Sequence, residues 1–169
     1  PVIVSRDLSR MVLATSVVRS VRDAIEDWGR SEPMLRALNK KLEASEVETI
    51  PYDPKALASP LPRAFQWADG SAYLSHMRLV RKARGAEMPE NSATDPMLYQ
   101  GGSDGFLGPV DPIPCVENDW GLDFEGEIAV ITDDVPMGCS PEQAKSHIKL
   151  IMLCNDISLR HVMRPELVK

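Results

Sequence analysis

The residues of this chain that could do chemistry fall in a few short stretches. Phe124-Glu125-Gly126-Glu127-Ile128 carries two carboxylates two residues apart, and on a strand residues at that spacing share a face. They stand beside the apolar run Ile128-Ala129-Val130-Ile131, where two ionised carboxylates repel unless a proton or a cation is shared between them. A hard dication such as Mg²⁺, Mn²⁺ or Ca²⁺ suits such oxygen donors. Asp156 adds a third carboxylate at the end of Leu150-Ile151-Met152-Leu153-Cys154-Asn155, a setting in which aspartate needs a partner. That partner is either Arg160 or a metal ion, and three acidic groups around two apolar strands favour a metal cage.

His76 is the histidine best suited to acid–base work, because imidazole exchanges a proton near neutral pH. It shares an amphipathic stretch with Tyr73, Met77 and Val80, so a partly buried structural histidine is the competing reading. His147 and His161 fall in no comparable pattern and read as structural. Gly101-Gly102-Ser103-Asp104-Gly105 reads as a tight loop that exposes backbone to a substrate. A phosphate cradle is disfavoured, since no Gly-Lys-Ser/Thr follows. Arg78, Arg81, Lys82 and Arg84 form a basic run, chiefly a solvated face, one member of which could take a substrate carboxylate bidentately. Trp67 and Tyr73 read as core packing.

These groups need elements to position them. β-Branched content predicts a short strand over residues 1–5. Helical spacing of Val17, Val18, Val21, Ala24, Ile25 and Trp28 predicts a helix over 15–28 that Gly29 ends. Ser31 followed by Pro33 predicts a second helix with a hydroxyl cap and a first-turn proline, burying Met34, Leu35, Leu38 and Leu42. Pro51, Pro54, Pro60 and Pro62 mark an extended linker, which places a domain boundary near residue 60. A helix follows over 73–84, capped by Asp69 or Ser71. The Gly- and Pro-rich span 85–120 is irregular and long enough to be functional. Strands are predicted over 122–131 and 148–157, the latter buried. Ser140-Pro141-Glu142-Gln143 is a capping box opening a short helix, and a last helix opens at Arg164. The fold class is therefore α+β, with an N-terminal region over 1–60 and a second domain over 61–169.

Composition sets the outer bounds. Nineteen basic against 25 acidic residues give a net charge of −6, which argues against a nucleic-acid partner. No run reaches the roughly 18 apolar residues of a membrane span, and the start lacks the features of a signal peptide. Cys115, Cys139 and Cys154 are widely spaced, which disfavours a disulfide scaffold or thiolate zinc site and suits a reducing, cytoplasmic setting. The first residues read as mid-strand, so further residues are expected to precede Pro1.

Four motifs occur in order: Asp69-Gly70-Ser71-Ala72-Tyr73-Leu74-Ser75-His76, Tyr99-Gln100-Gly101-Gly102-Ser103, Asp123-Phe124-Glu125-Gly126-Glu127-Ile128-Ala129-Val130 and Asn155-Asp156-Ile157-Ser158-Leu159-Arg160. Together they resemble the fumarylacetoacetate hydrolase family, in particular its bacterial fumarylacetoacetase-like members. The resemblance spans about Pro62 to Arg164, and the helical first third is similar to the N-terminal domain of those proteins. It implies part of a β-rich mixed-sheet roll, with a divalent cation (Mg²⁺ foremost, Mn²⁺ or Ca²⁺ otherwise) held by Glu125, Glu127, Asp156 and Asp69. It also implies His76 as the catalytic histidine, seven residues after Asp69, with Tyr99 and Arg84 near the substrate, the arginine after a one-residue shift. The implied activity is hydrolysis of a carbon–carbon bond in a β-diketo acid or acylpyruvate; isomerisation, hydration or decarboxylation of related keto acids, or loss of catalysis, are the alternatives. A small-molecule keto acid and a second copy of the chain are the implied partners. The family often continues Ser-Ala-Arg-Asp-x-Gln after the aspartate, where this chain reads Ser158-Leu159-Arg160-His161-Val162-Met163; a polar substrate contact is therefore expected to be lost. The family's catalytic domain also continues, with a lysine among its site residues, beyond Lys169.

Overall fold

The computed structural model describes residues 1–166. Strand β1 (Val2–Val4) turns back into β2 (Arg10–Leu13), pairing antiparallel with Ile3 opposite Val12. The turn between them is built on Asp7, whose carboxylate accepts the hydroxyls of Ser5 (2.6 Å) and Ser9 (2.7 Å). Those bonds, that from Ser5 foremost, lower the Asp7 pKa to about 2.

Helix α1 (Val21–Glu26) begins where the Ser20 hydroxyl accepts the N–H of Asp23, later than the expected start near residue 15. Helix α2 (Trp28–Glu43) follows after a break at Asp27 (φ −133°, ψ 55°). Gly29 and Ser31 therefore do not end one helix and cap the next; both lie inside α2. Asp27 does the capping with its backbone, its carbonyl accepting the N–H of Ser31, while its carboxylate pairs with Arg30 at 2.7 Å. Pro33 is consequently the sixth residue of the helix and leaves the Gly29 carbonyl without its usual donor. Strand β3 (Ile50–Pro51) closes the sheet in the order β1-β2-β3. Met11, Val12, Ala14, Val18, Ala24 and Leu42 are buried in this region.

The chain forms two compact units, Leu57–Val110 being one and the remainder the other. The first holds β4 (Ala68–Gly70), helix α3 (Leu74–Ala83) and β5 (Leu98–Gln100), with β4 and β5 antiparallel. Neither strand follows from the sequence pattern, since three residues in a Gly-rich setting carry no alternation. α3 starts after Tyr73 without a side-chain cap, so neither Asp69 nor Ser71 plays that part; Asp69 sits in β4. Tyr73 is exposed rather than core, and Met77 is the buried residue of α3.

In the other unit, β6 (Leu122–Asp123) and β7 (Gly126–Thr132) share the expected strand over 122–131, interrupted at Phe124–Glu125. The capping box is present at helix α4 (Pro141–Lys145): the Ser140 hydroxyl accepts the Gln143 N–H, and the Gln143 side chain accepts the Ser140 N–H. β8 (Ile148–Asn155) pairs with β7, and β9 (Ser158–Leu159) with β6, all antiparallel. Helix α5 (Arg160–Glu166) opens four residues before the expected Arg164, with Pro165 inside it; the rest of that expected helix, residues 167–169, lies outside the described residues. The expectation of a buried β8 is also corrected. Ile151 and Leu153 are 71% and 82% exposed, because only alternate residues of a two-stranded ribbon face the protein.

Candidate metal and substrate site

The interruption that splits β6–β9 from β7–β8 is where the acidic residues sit. Glu125 precedes β7 rather than lying in it, and Asp156 follows β8. Two hydrogen bonds bridge the gap: the Asp156 N–H donates to the Glu125 carbonyl at 2.9 Å, and the Glu125 N–H donates to the Asn155 side-chain Oδ1 at 3.1 Å. One register position on, Gly126 faces Asn155 and Glu127 faces Cys154. Glu125, Glu127, Ala129 and Ile131 alternate as half-buried positions, while Ile128 and Val130 are exposed. The two glutamates therefore keep the two-residue periodicity expected of them, and Asp156 joins them at the same end of the hairpin.

Arg160 is the cation at this end. Its Nε donates to Asp123 Oδ2 at 2.8 Å and its Nη2 to Glu125 Oε1 at 2.7 Å. Ser158 Oγ donates to the same Glu125 oxygen at 2.6 Å. The hydrogen bond from Arg160 holds the Asp123 carboxyl below its usual range, and the bond to Asp123 raises the arginine in turn. The sequence suggested Arg160 as a partner for Asp156; the geometry gives it Asp123 and Glu125. Asp123, Asn155 and Ser158 were not singled out from the sequence. The signal was present in the matched spacing of Asp123/Glu125 and Ser158/Arg160, opposite charges and a hydroxyl facing one another across an antiparallel pair.

The three carboxylates are oxygen donors of the type a hard dication takes, and the backbone brings them to one place. Their side chains do not converge: among the described residues no three His, Cys, Asp or Glu are grouped so as to hold a metal ion. Glu125 is turned to Arg160 and Ser158 instead. The donor chemistry is of the type a divalent ion takes, but the side-chain placement is not, with Glu125 held by Arg160 and Ser158.

The remaining candidates lie in the unit Leu57–Val110. Asp69 on β4 stands directly opposite Tyr99 on β5. Tyr99 packs edge-on against Trp67, ring centroids 5.7 Å apart, and Trp67 in turn lies over Gly101. A Cβ at Gly101 would stand 2.2 Å from the indole, so this glycine permits a close approach that no other residue could. His76 is the third residue of α3 and is exposed; Arg84 is the C-cap of that helix and is exposed. Asp69 and His76 share no hydrogen bond among the described residues.

A further titratable group marks the far end of the β7–β8 hairpin. Burial pushes the Asp133 carboxyl up, but hydrogen bonds from Lys149 (3.0 Å) and His147 (2.6 Å) outweigh it and leave it below its usual range. This accounts for His147 as a structural residue. His161 Nδ1–H donates to the Asp119 carbonyl (2.8 Å), its ring against Gly121 in the left-handed conformation (φ +69°).

Comparison with known families gives two matches. Residues 66–169 match the fumarylacetoacetate (FAA) hydrolase C-terminal family, and residues 2–63 match fumarylacetoacetase N-terminal domain 2. No curated protein matches the chain. Among the described residues no helix is long and apolar enough to cross a membrane.

Proposed function

The chain belongs to the fumarylacetoacetate hydrolase family, and from that premise we propose that it is a divalent-metal-dependent hydrolase cleaving a carbon–carbon bond in a β-diketo acid or acylpyruvate. The family itself carries metal-dependent chemistry of the hydrolase and lyase kind. What supports the finer reading is the acidic end of the β7–β8 hairpin, where the Asp156–Glu125 backbone bond and the Glu127–Cys154 register put three acidic residues at neighbouring backbone positions.

Glu125, Glu127 and Asp156, with Asp69 as a further oxygen donor, are the proposed metal ligands. Bound there, Mg²⁺ or Mn²⁺ supplies Lewis acidity to the substrate's keto oxygens. His76 takes a proton from the attacking water. Water adds to the keto carbon, the carbon–carbon bond breaks, and the departing carbon regains a proton, giving a carboxylic acid and a ketone. Tyr99 and Arg84 orient the substrate, the guanidinium suiting its carboxylate. A cytoplasmic homodimer is the proposed setting, supported by the exposed apolar residues of the hairpin.

A second reading rests on His76. An exposed histidine without a hydrogen bond to Asp69 favours isomerisation or decarboxylation of a related keto acid, which needs no activated water. Product analysis of the purified full-length protein on a keto-acid panel separates the two. Acid and ketone formed only with Mg²⁺ or Mn²⁺ support hydrolysis; CO₂ or an isomer supports the second reading. Turnover undiminished by EDTA excludes both.

A further inference from the structure

One face of the β4–β5 ribbon is built from four residues. Asp69 stands opposite Tyr99, and the ladder runs on to Trp67, whose carbonyl accepts the Gly101 N–H at 3.1 Å. Residues directly opposite on an antiparallel pair share a face, as do residues two apart on one strand. Trp67, Asp69, Tyr99 and Gly101 therefore stand on the same side. Gly101 leaves room there for the indole: a Cβ would come within 2.2 Å of Trp67 Cε3 and 2.3 Å of Cζ3. From that seat the indole meets Tyr99 diagonally across the ladder, ring centroids 5.7 Å apart and planes inclined at 67°, the edge-to-face geometry that aromatic quadrupoles favour. Trp67 is half-buried and Tyr99 is 55% exposed. The indole thus backs a tyrosine open to solvent and is no part of an enclosed core.

Taking the substrate role of Tyr99 in the reading above as its premise, we propose that Trp67 is a positioning residue: seated over Gly101, its indole fixes the Tyr99 ring and so the place of the Tyr99 hydroxyl on the face that carries Asp69. A tyrosine exposed on a three-residue strand exchanges between side-chain rotamers unless a neighbour prevents it. Each rotamer given up when substrate binds costs affinity, and an edge-on aromatic neighbour removes that freedom in advance. Gly101 is the counterpart of this device, since any side chain there pushes the indole off its seat. Trp67 touches no substrate and acts only through Tyr99.

Steady-state kinetics of the full-length protein on an acylpyruvate with Mg²⁺, paired with fluorine NMR of protein labelled with 3-fluorotyrosine, test this. The chain has three tyrosines, so the Tyr99 signal is the one that Tyr99→Phe removes. Trp67→Leu is expected to raise KM about fivefold, the worth of one aromatic pair, with the loss carried by KM rather than kcat. Trp67→Phe keeps a ring over Gly101 and is expected to recover most of it. Gly101→Ala is expected to raise KM as Trp67→Leu does, and to shift the Tyr99 signal while those of Tyr52 and Tyr73 stay in place. In a Tyr99→Phe background neither substitution is expected to change KM further. A KM unchanged in Trp67→Leu overturns the proposal, as does a full effect of Trp67→Leu in the Tyr99→Phe background, since Trp67 would then act by another route. A Tyr99 signal unmoved by Gly101→Ala overturns it whether or not the protein turns over an acylpyruvate. If Gly101→Ala does not fold, Trp67→Phe carries the test, and a KM no lower than that of Trp67→Leu overturns the proposal. An absence of turnover in wild type overturns the hydrolase reading; a Tyr99 signal that still moves in Gly101→Ala then supports the seating of the ring on its own.

Discussion

The N-terminal region and the β7–β8 hairpin use apolar residues in opposite ways. Between Met11 and Leu42, six apolar side chains are buried, Leu42 completely. In the hairpin, Ile128 faces Leu153 and Val130 faces Ile151, yet all four are about half exposed or more. The first region is held by apolar burial. The second is held by its ladder and, at the acidic end, by Arg160, Ser158 and Asn155. Folding stability and metal chemistry are thus expected to be separable by substitution, since they rest on different physical forces.

The largest effect is expected in the first region. Leu42→Ala should cost roughly 2–5 kcal/mol in denaturant unfolding, the range for emptying a buried leucine site. A loss below ~1 kcal/mol would mean that burial there contributes little, and the contrast would fail. Next in size, Asp156→Asn should weaken Mn²⁺ binding by about a hundredfold, ~2.7 kcal/mol, while shifting the unfolding midpoint little. A matching collapse of stability would show that the two functions are not separable.

Ser31 offers a gain. Its hydroxyl is fully buried in α2 without a hydrogen-bond partner among the described residues, so Ser31→Ala should stabilise by about 1 kcal/mol; destabilisation on unfolding would reveal an unseen partner. Acid sharpens the contrast at the β1–β2 turn. Asp7 has its pKa lowered from 3.8 to about 2, so its contribution is complete above pH 3.8 and is lost as pH falls through 2. The protection of the Ser9 amide, measured against its intrinsic exchange rate at each pH, should fall across that window in wild type and stay constant in Asp7→Asn. Smallest of all, Leu153→Thr at an exposed, cross-strand position should alter unfolding of the isolated protein by no more than ~0.5 kcal/mol. A larger loss would place a covering surface over the hairpin.

Much of the order along the chain is legible without coordinates, because it depends on neighbours in sequence. The capping box at Ser140 and Gln143, the helix over 74–83 and the apolar strands around Glu127 and Leu153 follow from local spacing alone. Elsewhere a local signal is overruled. Gly29, Ser31 and Pro33 spell the end of one helix and the start of another, but the break falls at Asp27, and one continuous α2 carries both Ser31 and the buried Leu42. The strands around Asp69 and Tyr99 are too short to show any alternation, and only their pairing makes them strands.

The candidate site divides in the same way. Acidic types at two-residue spacing, and an aspartate closing an apolar stretch, are properties of the sequence and determine what chemistry is available. Which charge meets which is a matter of register. Asp123 and Glu125 lie more than thirty residues from Arg160, and a shift of one residue would send each side chain to the other face. Only the tertiary pairing of β6 with β9 decides that Arg160 bridges those two carboxylates, because Coulomb attraction acts through distance in space and chain separation does not enter it.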